Sequence, residues 1–328
     1  FGNGGLGVSV FFTLSGFLIT YLILKEIELK GKLNIKAFYV RRTLRIWPLY
    51  FALLIFVFFV FPFIQHLANI HITNPADKIY YFTFISNFDV INLSKEGYDS
   101  FLQSGITWSI GIEEQFYLVW PLLFLLIPKK GHIFIFIGVI IISLFFRYYH
   151  YNDNLVLYFH TLGVCADLAV GGLAAYLIIY SKNFLGFFTG MKNGFRISIY
   201  VVGILYILFG EYYLDFEYAS VFRRIISSVF FAFIILQQNF DNKSYIKLGR
   251  FKLLDKWGKY TYGLYLLHPI GVLVFELFKG YFDMHIEGFW MGLAKAISVL
   301  VFSCALSYFS YRLLEMPFLK LKKKFSVI

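Results

Sequence analysis

Hydrophobic residues in this chain come in long blocks separated by short polar breaks. A helix that crosses a bilayer needs about 20 mostly apolar residues. Blocks that meet or approach this run at 6–24, 46–64, 108–128, 133–146, 161–180, 197–213, 225–236, 260–278 and 289–311. The pattern predicts an all-α, polytopic transmembrane helix bundle with nine spans, forming a single integral membrane domain over residues 1–328. Small residues stud the first block (Gly4, Gly5, Gly7, Ser9, Ser15, Gly16), and the fifth carries AVGGLAA; both suit close helix packing. Pro48 is expected in the first turn of the second span, where a missing N–H costs little. Residues 78–92 are aromatic but short and broken by Asn87 and Asp89. They read as an interfacial or re-entrant piece.

Charge tests this map. The break between the first two spans, residues 25–50, holds seven basic residues (Lys25, Lys30, Lys32, Lys36, Arg41, Arg42, Arg45) against Glu26 and Glu28. If that break is cytoplasmic, alternate loops carry 23 of the 30 Lys and Arg and the opposite loops carry six. A bias of this size sets orientation. A full crossing at 78–92 would reverse every later loop and destroy the bias. The chain therefore starts outside and ends inside. Because it opens on Phe1 without a basic leader, a preceding N-terminal helix is expected, making ten spans.

Composition agrees: 59% of residues are hydrophobic and 15% charged, against about 25% charged in soluble domains. The net charge of +11 does not imply nucleic acid, because the basic residues sit in short loops between apolar runs. Cys165 and Cys304 lie inside apolar blocks and read as packing residues. No Walker loop, dinucleotide fingerprint or zinc-spaced Cys/His cluster is present, so no metal is expected.

Few residues are left that carry chemistry. Arg41, Arg42 and Arg45 stand at helical spacing at the cytoplasmic mouth of a span. Such a cluster either binds phosphates bidentately or only fixes topology. Glu113 and Glu114 lie inside the third span, where a carboxylate is a functional hypothesis by default. They point about 100° apart around a helix. Glu113, one turn from Tyr117, is the stronger candidate for orienting a histidine or accepting a proton. His268, followed by Pro269, lies near the middle of the eighth span. It is either a packed polar group or a base, with Pro269 freeing a carbonyl. Asp167 in the fifth span is expected to be structural, paired with an arginine such as Arg147. Arg312 and Glu315 are one turn apart and could pair locally. His66, His71, His150, His160 and His285 fall in outer loops or at their edges and are given no role; His132 reads as interfacial.

Five stretches, in order and across essentially the whole chain, resemble the acyltransferase family 3 integral membrane proteins, which O-acylate bacterial surface and exported glycans. They are GLGVSVFFTLSGFLIT (5–20), FYVRRTLRIWPLYF (38–51), WSIGIEEQFYLVWPLL (108–123), YTYGLYLLHP (260–269) and YRLLEMPF (311–318). The resemblance implies ten helices, a bacterial cytoplasmic-membrane location and an acyl-CoA donor, usually acetyl-CoA. It places the CoA phosphates on Arg41, Arg42 and Arg45. It puts the family glutamate on Glu113, the Ser-Gly element on Ser15 and Gly16, and the histidine helix on His268; Trp108 and Tyr117 join Ser15 and Gly16 as substrate-binding candidates. The family's proposed catalytic histidine lies on a first helix upstream of this chain. The partners implied are membrane lipids and a glycan or lipid-linked glycan acceptor, with no nucleic acid; self-association is left open. The expected activity is membrane O-acyl transfer. The alternative is a transporter or flippase of a glycan or lipid-linked sugar, which would also need intramembrane polar groups and broken helices.

Overall fold

In the computed structural model, residues 4–68, 75–98, 104–213, 218–241, 247–281 and 288–325 are described; His71 and His285 lie outside them. The described residues form helices joined by short connections, without strands: α1 (Gly4–Lys30), α2 (Ile35–Ile55), α3 (Phe61–Ala68), α4 (Lys78–Phe82), α5 (Ser86–Lys95), α6 (Trp108–Leu126), α7 (His132–Tyr149), α8 (Asn154–Phe159), α9 (Thr161–Tyr180), α10 (Lys182–Gly190), α11 (Asn193–Tyr213), α12 (Ala219–Phe240), α13 (Lys252–Gly258), α14 (Thr261–Tyr281), α15 (Phe289–Ser310) and α16 (Met316–Lys322). Nine helical stretches among the described residues are long and apolar enough to cross a membrane, one for each predicted span. Residues 78–92 form α4 and the start of α5, too short to cross, with Asp77 capping α4 through the Ile79 N–H at 3.0 Å.

The second span begins earlier than the apolar pattern suggests. Asn34 caps α2 by accepting the Ala37 N–H at 2.9 Å, and the helix starts at Ile35. The basic residues 36–45 thus ride on the helix itself, and Pro48 falls in its interior rather than its first turn. A polar N-cap outweighs the onset of hydrophobicity in setting a helix start. A π turn at Phe56–Val60 then leads into α3.

The chain divides into two units. The first comprises residues 1–33 and 113–249. Its centre is α9, packed on α1. Gly16 of α1 abuts the Leu168 carbonyl, and Gly171 of α9 abuts the Thr13 carbonyl, so a Cβ at either would collide with backbone. The small residues of both helices therefore let two backbones touch. Phe17, Val170, Ala174, Ile178, Phe188 and Ile235 fill the core beside this contact. Leu118, Leu125, Phe134, Phe145 and Leu208 point outward, as lipid-facing positions do.

The second unit comprises residues 34–112 and 250–328. Here α14 packs on α15 through Gly263 and Gly271, which face Ser307 and Ser303. Tyr262 Oη donates to the Ile46 carbonyl at 2.8 Å, tying α14 to α2. Tyr50 Oη donates to the Tyr81 carbonyl at 2.8 Å, and its ring stacks on Phe84 at 4.7 Å. Phe84 holds a positive φ of 60° in the turn between α4 and α5, a conformation unusual for a bulky residue. That turn closes over α6, where a Cβ on Gly111 would press on the Phe84 carbonyl at 2.9 Å. Asp89 and Tyr81 are buried in this outer piece. Burial pushes the Asp89 carboxyl above its ordinary range, and pushes the Tyr81 phenol up as well.

Candidate functional site

In the first unit, α1 and α6 bring three of the sequence candidates together. Ser15 Oγ and Tyr117 Oη both donate to Glu113 Oε1, and the two hydroxyl oxygens also meet each other. All three side chains are buried. Glu113 and Tyr117 share a helix face by their i,i+4 spacing. Ser15 reaches them from α1, whose next residue, Gly16, packs on α9. Gly16 itself is thus spent on helix packing. Further along both helices Trp120 Nε1 donates to Thr20 Oγ1 at 2.9 Å. The two pairings show that α1 and α6 run in the same sense, as the charge-derived topology requires. Glu114, on another face, is half-buried. Chemically, a buried carboxylate holding two hydroxyls can orient them and take a proton from either.

In the second unit, α2 carries Arg41, Arg42 and Arg45. Arg41 and Arg42 are buried, and Arg45 is exposed. Arg41 Nη1 donates to the Phe325 carbonyl at 2.9 Å, and the Arg42 guanidinium lies 5.8 Å from the Phe38 ring centre. The chain's C-terminal turns join them: Lys322 lies within electrostatic reach of all three arginines, and Glu315 within reach of Arg45. Among the described residues, Lys322 thus joins the three arginines, and the buried Glu315 lies near Arg45. Sequence reasoning took the Lys-rich tail as a topology signal and missed Lys322, since nothing local links residue 322 to residue 41. Glu315 accepts from Ser310 at 3.3 Å, whereas Arg312 turns away to lie 4.8 Å over the Tyr308 ring; the local Arg312–Glu315 pair is not made.

His268 and Trp108 also belong to the second unit. Pro269 has no N–H for the carbonyl four residues back, that of Tyr265. His268 Nδ1 supplies the missing donor, bonding the Tyr265 carbonyl at 2.6 Å. A carbonyl can only accept, so Nδ1 carries a proton, and in the neutral ring the lone pair is on Nε2. Tyr265 Oη in turn meets Ser109 Oγ at 2.6 Å. Trp108, beside Ser109 at the head of α6, is fully buried.

Asp167 is paired with Arg224, whose Nε lies 2.8 Å from Oδ2, not with Arg147. Ser9 and Ser228 also donate to it. Arg147 instead donates to the carbonyls of Val221, Leu157, Gly163 and Ser220. Arg224 sits at an outer helix end in the sequence, where no local pattern marks it as a partner for residue 167.

Residues 1–312 match the family model described as "Acyltransferase domain". The chain is 28% identical to the peptidoglycan O-acetyltransferase OatA of Listeria monocytogenes, over 97% of this chain and 52% of that protein. A Staphylococcus aureus protein whose name includes O-acetyltransferase is 35% identical over 53% of this chain and 30% of its own length. The chain thus spans about half the length of the Listeria relative. No solved structure matches.

Proposed function

The chain belongs to the membrane acyltransferase family 3, and from that premise we propose that it moves an acyl group, most simply acetyl, from acyl-CoA to a hydroxyl of an exported or cell-surface carbohydrate. It is a multi-pass membrane protein, and the proposed setting is a bacterial cytoplasmic membrane with lipids and a glycan or lipid-linked glycan as partners. The observation that carries the reading is the gathering of Arg41, Arg42 and Arg45 of α2 with Lys322 of the C-terminal turns. A guanidinium cluster at the end of a membrane helix is suited to phosphates, which bind arginine in bidentate fashion. CoA carries phosphates at the end opposite its thioester.

In the transfer, an acceptor oxygen attacks the thioester carbonyl. The hydroxyl proton leaves to a base, the C–S bond breaks, and the thiolate departs with CoA. The residues available for the proton are Glu113, which already holds two hydroxyls, and His268, whose neutral ring offers Nε2. The name of the Listeria relative supports peptidoglycan as one acceptor class.

Arg45 is the residue to test, because it is exposed and its loss leaves the core intact. A charge-assisted hydrogen bond contributes about 1.5–3 kcal/mol, so Arg45→Ala in the complete protein should weaken acetyl-CoA binding by about 10- to 100-fold in calorimetry. The loss should shrink when CoA lacking its ribose phosphate replaces CoA. Unchanged binding refutes the assignment.

A further inference from the structure

Within the first unit, the end that the charge bias places outside contains a cavity of about 260 Å³. Ser9 of α1, Arg147 of α7, Asn154 and Tyr158 of α8, and Arg223 and Arg224 of α12 line it. None of these residues entered the acyl-CoA argument. Its size lies just below the roughly 300–1,000 Å³ of ordinary small-molecule sites.

Charge is what distinguishes this cavity. A cation among membrane helices is expensive unless an anion compensates it. Arg147 spends its hydrogen bonds on four neutral carbonyls. Arg224 holds Asp167 through Nε at 2.8 Å, while its buried Nη2 has no hydrogen-bond partner. Asp167, fully buried, thus faces two guanidinium groups, those of Arg224 and Arg147, and the Arg223 side chain also lines the wall. An incoming anion would balance the excess and give Nη2 an acceptor. Asn154 and the hydroxyls of Ser9 and Tyr158 lie beside the arginines, and Leu6, Leu157, Tyr206 and Ile207 add to the wall, a mixed lining that offers partners to both the hydroxyls and the apolar faces of a sugar ring.

We propose that this outer cavity binds an acidic sugar, holding its carboxylate or phosphate on Arg224 in the field of Arg147 and Arg223. That the sugar belongs to the acyl acceptor rests on the acyltransferase reading; the binding does not.

The test uses the complete protein in phosphatidylcholine nanodiscs, with glucuronate and glucose as probes followed by calorimetry. Glucuronate should bind about tenfold tighter than glucose or better, and the preference should fall with added salt. Arg224→Gln should abolish it. Asp167→Asn, which removes the competing carboxylate and keeps its shape, should hold or increase the preference. Arg223→Gln, on a half-buried residue outside the Asp167 pair, should reduce it without unfolding the protein. Equal affinity for the two sugars overturns the proposal, as does a preference that survives both arginine changes. So does competition by phosphatidylglycerol alone, which would make the occupant a lipid headgroup. Acetyl transfer measured in parallel separates the two ideas: activity without sugar-acid preference refutes only the cavity, and preference without activity refutes only the acyltransferase reading.

Discussion

Tyr117→Phe is the sharpest perturbation of the buried acid–hydroxyl cluster. It removes one of the two donors on Glu113 Oε1 and leaves the ring in place. Hydrogen bonds to charged groups contribute about 1.5–3 kcal/mol each. Ser15→Ala removes the other donor, with its own bond to the same oxygen. If the three groups act as one unit, the second deletion acts on a cluster already broken. The double variant should therefore lose less than the sum of the singles, with a coupling of about 0.5–3 kcal/mol. Acetyl transfer from labelled acetyl-CoA by purified protein gives the activity cycle, and thermal unfolding in detergent gives the stability cycle. Each single change should lower transfer by about 10- to 100-fold. Losses that simply add, within about 0.5 kcal/mol, would mean that Ser15 and Tyr117 act independently, and the cluster would not be a functional unit.

His268→Asn keeps a donor near the Nδ1 position for the Tyr265 carbonyl but removes the Nε2 lone pair. It should fold normally and lower transfer by about 10²- to 10⁴-fold, whereas His268→Phe should also lower the melting temperature, because it orphans that carbonyl. Gly171→Ala places a Cβ against the Thr13 carbonyl; backbone cannot give way, so folded yield should fall by the full overpacking penalty of about 1–3 kcal/mol or more, read by size-exclusion chromatography. Burial raises the Asp89 carboxyl above its ordinary 3.8. Its contribution to stability is therefore complete below that value and is lost as pH rises through the raised one. Asp89→Asn should flatten this part of the melting-temperature profile and raise stability near neutral pH.

Much of the fold was legible in the chain. The apolar blocks, read against bilayer thickness, locate each of the nine helices among the described residues that are long and apolar enough to cross, and the Lys and Arg bias denies a crossing to residues 78–92. Both signals are local, and the membrane acts on each segment separately. Boundaries were less legible: the Asn34 cap moved the start of α2 to Ile35 and put Pro48 in the helix interior. Glu113, Tyr117 and His268 stood out by themselves, since polar groups inside apolar blocks demand an explanation.

Only the tertiary structure decided who meets whom. Ser15 of α1 joins Glu113 of α6, while the adjacent Gly16 packs on α9. Asp167 takes Arg224 rather than Arg147, and Lys322 returns to the arginines of α2. Hydrophobic periodicity assigns residues to a span or a loop, but it carries no information on the rotation of one helix against another. That rotation follows from which small residues let backbones touch and which buried charges must be paired.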